Sequence, residues 1–550
     1  MSSVKRLVAV LCTAICISAV SNPGFASERR LSEMSLEEKV GQIMLVFFEG
    51  GAISENLEKF VAELRVGGVI LYSSRENIAS VEQVAKLNAE IQRTALSTGT
   101  LPLFIAIDQE GGLIARIREG VTQFPGNMAL GAADDPALAS KVASVSGREL
   151  ASLGINVNFA PVMDVNNNPS NPIIGVRSFG SDPALVSRLG VETIRASLAE
   201  GVLPAAKHFP GHGDTSVDSH TGLPVIEATR ERLDSVEFPP FRAAVEAGVP
   251  IVMTAHVLVP SIDPANPATL SPAILGVLRD EMGFNGLIVT DSMGMGALAE
   301  GRTLEDAAIA AFNAGADILL FGADKGHEET EHFGVYSALL EACRTGRIPS
   351  WRLDEAVGRI LEAKCSLGLL HEGWKPEFAP TRAAEGAEVA REAALKSITV
   401  ARDIRGALAS VRDGRVRPLL WPSERASAAE GLVRNLFPVD LALLPGKPEE
   451  ADIAEALKRS EGFDYVLVAD YDGWRNPAWL EMIRRIGPDR VILLALRTPY
   501  SLISTPDVAA AAIAYSDNPP SLQALGEVLK GVSPARGRLP VDLPGFKRSF

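Results

Sequence analysis

Gly286-Leu287-Ile288-Val289-Thr290-Asp291 is a short apolar run that stops at a carboxylate. A run without polar alternation suits a strand buried on both faces of a parallel sheet. Seven similar runs lie around it: Ile43–Phe47, Val66–Leu71, Leu101–Ile107, Ile155–Phe159, Val202–Lys207, Ile251–Ala255 and Ala316–Phe321. Ala/Leu/Glu-rich helical stretches separate most of them, most clearly at Asp182–Glu200 and Thr303–Ala314. Strand–helix alternation implies βαβ crossovers. Eight rounds predict an α/β fold with a (β/α)8 TIM-type barrel over residues 27–370. An open doubly wound sheet is the competing arrangement.

After Leu370 the rhythm loosens. His371–Thr381 contains Gly373, Trp374, Pro376 and Pro380, and residues 371–392 read as a linker. A helix over Ala383–Lys396 leads into a smaller C-terminal α/β sandwich domain, 393–550. Its expected strands are Ile398–Ala401, Arg417–Trp421, Tyr465–Ala469, Val491–Leu496 and Ala511–Tyr515.

With 47% hydrophobic residues in 550, the chain has ample material for a large core and does not read as disordered. A net charge of −15 argues against a nucleic-acid partner, which calls for clustered cations. Lys5 and Arg6 precede an apolar run to Val20, and Gly24-Phe25-Ala26 supplies the small residues of a cleavage site. Residues 1–26 therefore read as a signal peptide, and the expected location is periplasmic or extracellular. No later run reads as a membrane span. Cys343 and Cys365 are the cysteines beyond that segment; both fall in helix-like stretches and are expected to be buried free thiols. No CxxC or His/Cys cluster suggests zinc, and neither a metal nor an organic cofactor is expected.

In a parallel barrel the reacting groups come from loops at the carboxyl ends of strands. The third run is followed by Asp108-Gln109-Glu110-Gly111-Gly112 and the fourth by Asp164, with Arg177 further along. The fifth ends in Lys207-His208 and continues through His212 to Asp218-Ser219-His220; the sixth ends near Thr254 and His256, and the seventh at Asp291. Asp218 and His220 are two residues apart, so in an extended stretch they would face the same way. A carboxylate beside an imidazole fixes its tautomer and suits it to proton transfer near neutrality. Asp291 is the candidate nucleophile, with a helix N-cap as the structural alternative. One attacking carboxylate plus a proton shuttle is the logic of retaining glycoside hydrolysis. No phosphate loop, GxSxG elbow or HExxH occurs.

These residues resemble the glycoside hydrolase family 3 β-N-acetylhexosaminidases, notably the two-domain bacterial enzymes of cell-wall muropeptide turnover. The resemblance is carried by Leu36–Gln42, Ile107–Gly112, Asn158–Asp164, Arg177-Ser178-Phe179-Gly180, Lys207–His220 and Gly286–Asp291, and more weakly by Ile398-Thr399-Val400, Leu496–Tyr500 and Gly537–Val541. It implies that Asp291 is the nucleophile, His220 the acid/base and Asp218 its dyad partner. It further implies that Asp108, Arg177, Lys207 and His208 hold the sugar, with Arg116 shaping the pocket. Leu113 departs from the family, which commonly has Arg there.

The activity so implied is an exported, retaining β-N-acetylglucosaminidase whose partner is a carbohydrate substrate such as a peptidoglycan fragment. The competing readings are a phosphorylase with the same dyad, a β-glucosidase whose acid/base would usually be a carboxylate elsewhere, and a non-catalytic glycan-binding protein.

Overall fold

The computed structural model describes residues 30–298, 301–434, 436 and 439–546. The segment read as a signal peptide, with Cys12 and Cys16, lies outside them. Among the described residues no helix is long and apolar enough to cross a membrane.

All eight apolar runs contain parallel barrel strands: β1 Met44–Val46, β2 Gly68–Ile70, β3 Phe104–Ile107, β4 Val157–Asn158, β5 Leu203–Phe209, β6 Ile251–Thr254, β7 Leu287–Val289 and β8 Leu319–Phe321. They follow one another in order, and β8 pairs with β1. A parallel bridge between Val289 and Ile318 joins β7 to the approach of β8. The arrangement is a nearly closed barrel rather than an open sheet. Every residue of these eight strands is buried, which explains why the runs lack alternation. The helices start where capping chemistry allows: Asp182 caps Pro183–Ala199 and Thr303 caps Leu304–Ala314, each accepting a backbone N–H in the first turn.

The amino-terminal end of the barrel is sealed by charge. Asp317, fully buried just before β8, accepts from Arg279 (2.6 Å), Arg352 (3.0 Å) and Arg359 (3.0 Å). Nearby, buried Lys364 donates to Gln42 Oε1 at 2.7 Å and stands 5.2 Å from the Phe104 ring centre. Among the described residues no carboxylate offsets its burial, which pulls its pKa down to about 7.

The C-terminal sheet has six strands rather than five: β9 Thr399–Asp403, β10 Val416–Pro422, β11 Leu441–Leu444, β12 Tyr465–Asp470, β13 Val491–Ala495 and β14 Ala510–Ile513. Their spatial order is β9-β14-β13-β12-β10-β11, with β9 antiparallel and the rest parallel. The additional strand, β11, is an edge strand with an exposed–buried alternation, so it lacks the continuous apolar run that marked the others. The helix Gly386–Ser397 precedes this sheet, and its Val389, Ala390 and Ala393 pack against Leu138 and Leu189 of the barrel helices. Its Lys396 pairs with Asp135 at 2.8 Å.

Cys343 and Cys365 are unpaired, but half-buried rather than buried. Burial raises the Cys343 thiol to about 11, which disfavours the reactive thiolate.

Candidate active site

A cavity of about 330 Å³ opens at the carboxyl ends of the barrel strands. Its lining includes all but one of the expected site residues: Asp108, Arg116, Arg177, Lys207, His208, His220 and Asp291. The remaining one, Asp218, stands directly behind His220.

One wall is a buried ionic cluster built on β3, β5 and the long loop after β4. Pairing between β5 and β6 slips by one residue, so that Lys207 faces Met253 and Phe209 faces Thr254. This bulge lets both Lys207 and His208 turn toward the mouth, where strict alternation would send one outward. Lys207 Nζ lies 2.9 Å from Asp108 and 2.7 Å from Glu110. Glu110 also takes both arms of Arg177, at 2.9 and 2.8 Å, and Arg116 pairs with Asp108 at 3.3 Å. Burial alone would raise Asp108 and Glu110, but Lys207, Arg116 and Arg177 more than offset it and hold both carboxylates below their usual range. Lys207 is correspondingly held above the ordinary lysine value despite its burial, chiefly by Asp108 and Glu110.

His208 is oriented from behind. Its Nδ1 lies 2.7 Å from the fully buried Asp164 carboxylate, which also accepts the His212 backbone N–H at 2.7 Å. His212 is equally buried, and burial lowers it to about 4. It therefore serves as a neutral strut rather than a proton donor, with Nδ1 2.9 Å from Thr215 and Nε2 3.2 Å from Ser219.

The opposite wall carries Asp291. No helix begins there, so it is not an N-cap; its Oδ1 accepts the Ser292 N–H at 2.8 Å. Burial would raise its carboxyl, yet His208, His256, the Ser292 N–H and Lys207 together hold it below the usual range. Its loop is pinned on both sides. His256 Nε2 donates to the Ser292 carbonyl at 2.8 Å, and Ser292 Oγ accepts the Gly322 N–H at 2.7 Å while bonding to Asp324. Asp324 lines the same cavity, and burial raises its carboxyl.

Asp218 and His220 are joined as expected, at 2.8 Å between Nδ1 and Oδ1, but by a different route. The segment is a turn rather than an extended stretch: Asp218 Oδ1 also accepts the His220 N–H at 2.8 Å, and its carbonyl accepts from Thr221 at 2.9 Å. This is the local side-chain-to-backbone bonding at which Asp excels. The turn is tied to the Asp291 loop. Ala297 N–H donates to Ser219 at 3.1 Å, and a Cβ on Gly296 would come within 2.7 Å of the His220 carbonyl oxygen.

Glu110, Asp164, His212, His256 and Asp324 also shape this site. Each follows a barrel strand; apart from His212, which bonds to Thr215 and Ser219 of its own loop, their partners lie well away in sequence, so adjacency alone did not assign them roles. Among the described residues no group of three or more His, Cys, Asp or Glu side chains forms a metal-binding cluster.

Residues 35–363 match the glycosyl hydrolase family 3 N-terminal domain. The chain belongs to this family. It is a glycoside hydrolase. It is 34% identical over 545 residues to beta-hexosaminidase A of Pseudoalteromonas piscicida, covering 88% of this chain and 91% of that one. It is 32% identical to a beta-N-acetylglucosaminidase/beta-glucosidase of Cellulomonas fimi, covering 93% and 94%. Its structure superposes on the family 3 beta-N-acetylglucosaminidase of Paenibacillus sp. with a TM-score of 0.86 and 37% identity, covering 93% of this chain and 99% of that one.

Proposed function

We propose that this glycoside hydrolase is an exported, retaining β-N-acetylglucosaminidase that releases terminal β-N-acetylglucosamine from peptidoglycan fragments or related glycans. The carrying observation is that one cavity presents Asp291, the His220 imidazole and a buried Lys207–Arg177–Asp108 cluster together. Asp291, held ionised by its surroundings, attacks the anomeric carbon as His220 gives a proton to the leaving oxygen. His220 then takes a proton from the water that releases the sugar. With Nδ1 committed to Asp218, Nε2 is the nitrogen available for both transfers. Lys207, Arg177 and Asp108 offer charge-assisted hydrogen bonds to sugar hydroxyls and are already oriented before substrate arrives. The names of the Cellulomonas fimi relative and the Paenibacillus structure support N-acetylglucosamine as the sugar, and the apolar run to Val20 with the small residues at Gly24 and Ala26 supports export.

The test uses an aryl β-N-acetylglucosaminide. The wild-type chain should release the β-anomer first, and a mechanism-based fluorosugar should label Asp291. Asp291→Ala should lower kcat by at least about a thousandfold, as loss of a covalent nucleophile does. An α-anomer as first product, or undiminished turnover by Asp291→Ala, would overturn this reading.

A further inference from the structure

The parallel strands of the C-terminal sheet run β11-β10-β12-β13-β14 in space, so the chain reverses direction of travel between β10 and β12. In doubly wound sheets the crevice outside the carboxyl ends at such a reversal is where ligands bind. Here that end faces the barrel. A second cavity, of about 700 Å³, lies between the residues following β11, β12 and β13 and the barrel loop 169–176. It adjoins the catalytic cavity: Ile173 lines both, while Leu113 lines this one and its neighbour Ile114 the other.

The position is fixed by contacts from the C-terminal sheet to the loop that carries Arg177. Arg475 donates to the Asn171 carbonyl at 2.6 Å, and the Tyr500 hydroxyl meets Asn166 Nδ2 at 2.6 Å. The lining is cationic in a chain of net charge −15. Lys447, Arg475 and Arg497 stand there against a single carboxylate, Asp472. Asp472 accepts the Thr498 N–H at 3.2 Å and forms a long ion pair with Arg497 at 3.9 Å, leaving the cleft with a net positive lining. Lys447 is exposed and has no partner among the described residues. Leu113, 40% exposed, and Ile173 give the cleft an apolar side.

We propose that this cleft is the leaving-group subsite and that it selects glycans whose leaving portion carries a carboxylate, with Lys447 and Arg497 as the specificity-determining cations. The inference rests on the glycosidase reading above and extends it to the leaving group. A sugar held by the barrel cluster has its anomeric carbon at Asp291 and His220, so the departing portion must extend out of the first cavity. The adjoining cationic cleft, with an apolar side for a ring face, offers it a place. Neither cation lines the catalytic cavity, so their contribution falls on the leaving group alone.

The experiment compares kcat/KM for two disaccharides with the same non-reducing N-acetylglucosamine. In one the reducing sugar is N-acetylmuramic acid, which bears a carboxylate; the other is neutral chitobiose. The full chain should prefer the acidic disaccharide, and added salt should erode that preference. Lys447→Glu and Arg497→Gln should each lower the acidic-to-neutral ratio by roughly two- to fivefold, the range for loss of one solvent-exposed ion pair, mostly through KM. Using the ratio cancels any loss common to both substrates. A ratio that stays put in both variants overturns the inference, even where an aryl β-N-acetylglucosaminide is still hydrolysed. Failure of the wild-type chain on that aryl substrate would instead overturn the glycosidase reading beneath it.

Discussion

Two lysines are buried at opposite ends of the barrel, and they are treated in opposite ways. Lys207, at the mouth, is clamped between Asp108 and Glu110 and held above its ordinary value. Lys364, at the amino-terminal end, has an amide oxygen and a phenyl ring for company and is drawn down to about 7. Burial is nearly total for both; the difference is the carboxylates. Charge is firmly held at the mouth, where the candidate site lies, and only partly kept at the closed end near neutrality. A third treatment lies on the rim, where the His220 and Asp218 side chains are 58% and 35% exposed and are ordered by a two-residue turn.

The sharpest way to separate these treatments is at the rim. His220→Gln should lower kcat by about 10²–10⁴, the usual range for general acid–base catalysis, while leaving the thermal midpoint unchanged; calorimetry alongside steady-state rates checks both. Asp218→Asn should cost less, since the amide oxygen can still accept from the His220 Nδ1 while the negative charge behind the ring is lost.

Breaking the mouth cluster should instead cost stability. Glu110→Ala leaves Lys207 and Arg177 buried with too little countercharge and should lose about 3–5 kcal/mol, read by denaturant unfolding. The wild-type dependence on pH has a definite sign. Asp108, Glu110 and Asp164 are held below the unfolded carboxylate range, so their stabilisation is complete above roughly pH 4 and is lost as pH falls below it.

The smallest effect on turnover is expected at the closed end, where the change falls on stability alone. Because Lys364 titrates lower in the folded chain than in the unfolded one, unfolding takes up a proton between about pH 7 and the ordinary lysine value near 10.5. Stability contributed by this position therefore rises across that window and is lowest below it, by about 1.4 kcal/mol per unit of separation. Lys364→Met should flatten that rise without changing kcat. A wild-type-minus-variant difference that does not vary with pH would remove the contrast between the two lysines.

Much of this architecture was legible because parallel strands buried on both faces leave continuous apolar runs, and because polar residues that end or follow several of these runs line the mouth. Asp108, Lys207, His208 and Asp291 were found by that reasoning. Glu110 and Asp324 were not assigned, since their roles arise from Arg177, Lys207 and Ser292, whose closeness is a product of barrel closure. β11 escaped notice because an edge strand of four residues with two exposed or half-exposed positions has no such run. The Asp218–His220 pair was anticipated, but its geometry follows from side-chain-to-backbone bonding that alternation cannot reveal.

The bare Cα of Gly296 has a consequence for movement. The His220 carbonyl rests where a side chain would otherwise stand, so the proposed proton donor, His220, and the proposed nucleophile, Asp291, hang from loops that interlock like two fingers on one knuckle. Any swing of the His220 turn toward the cavity must carry the 296–297 backbone with it or first unhook from it. A methyl group added at that single point would wedge the two apart and disturb the timing between attack and protonation while altering neither reacting group.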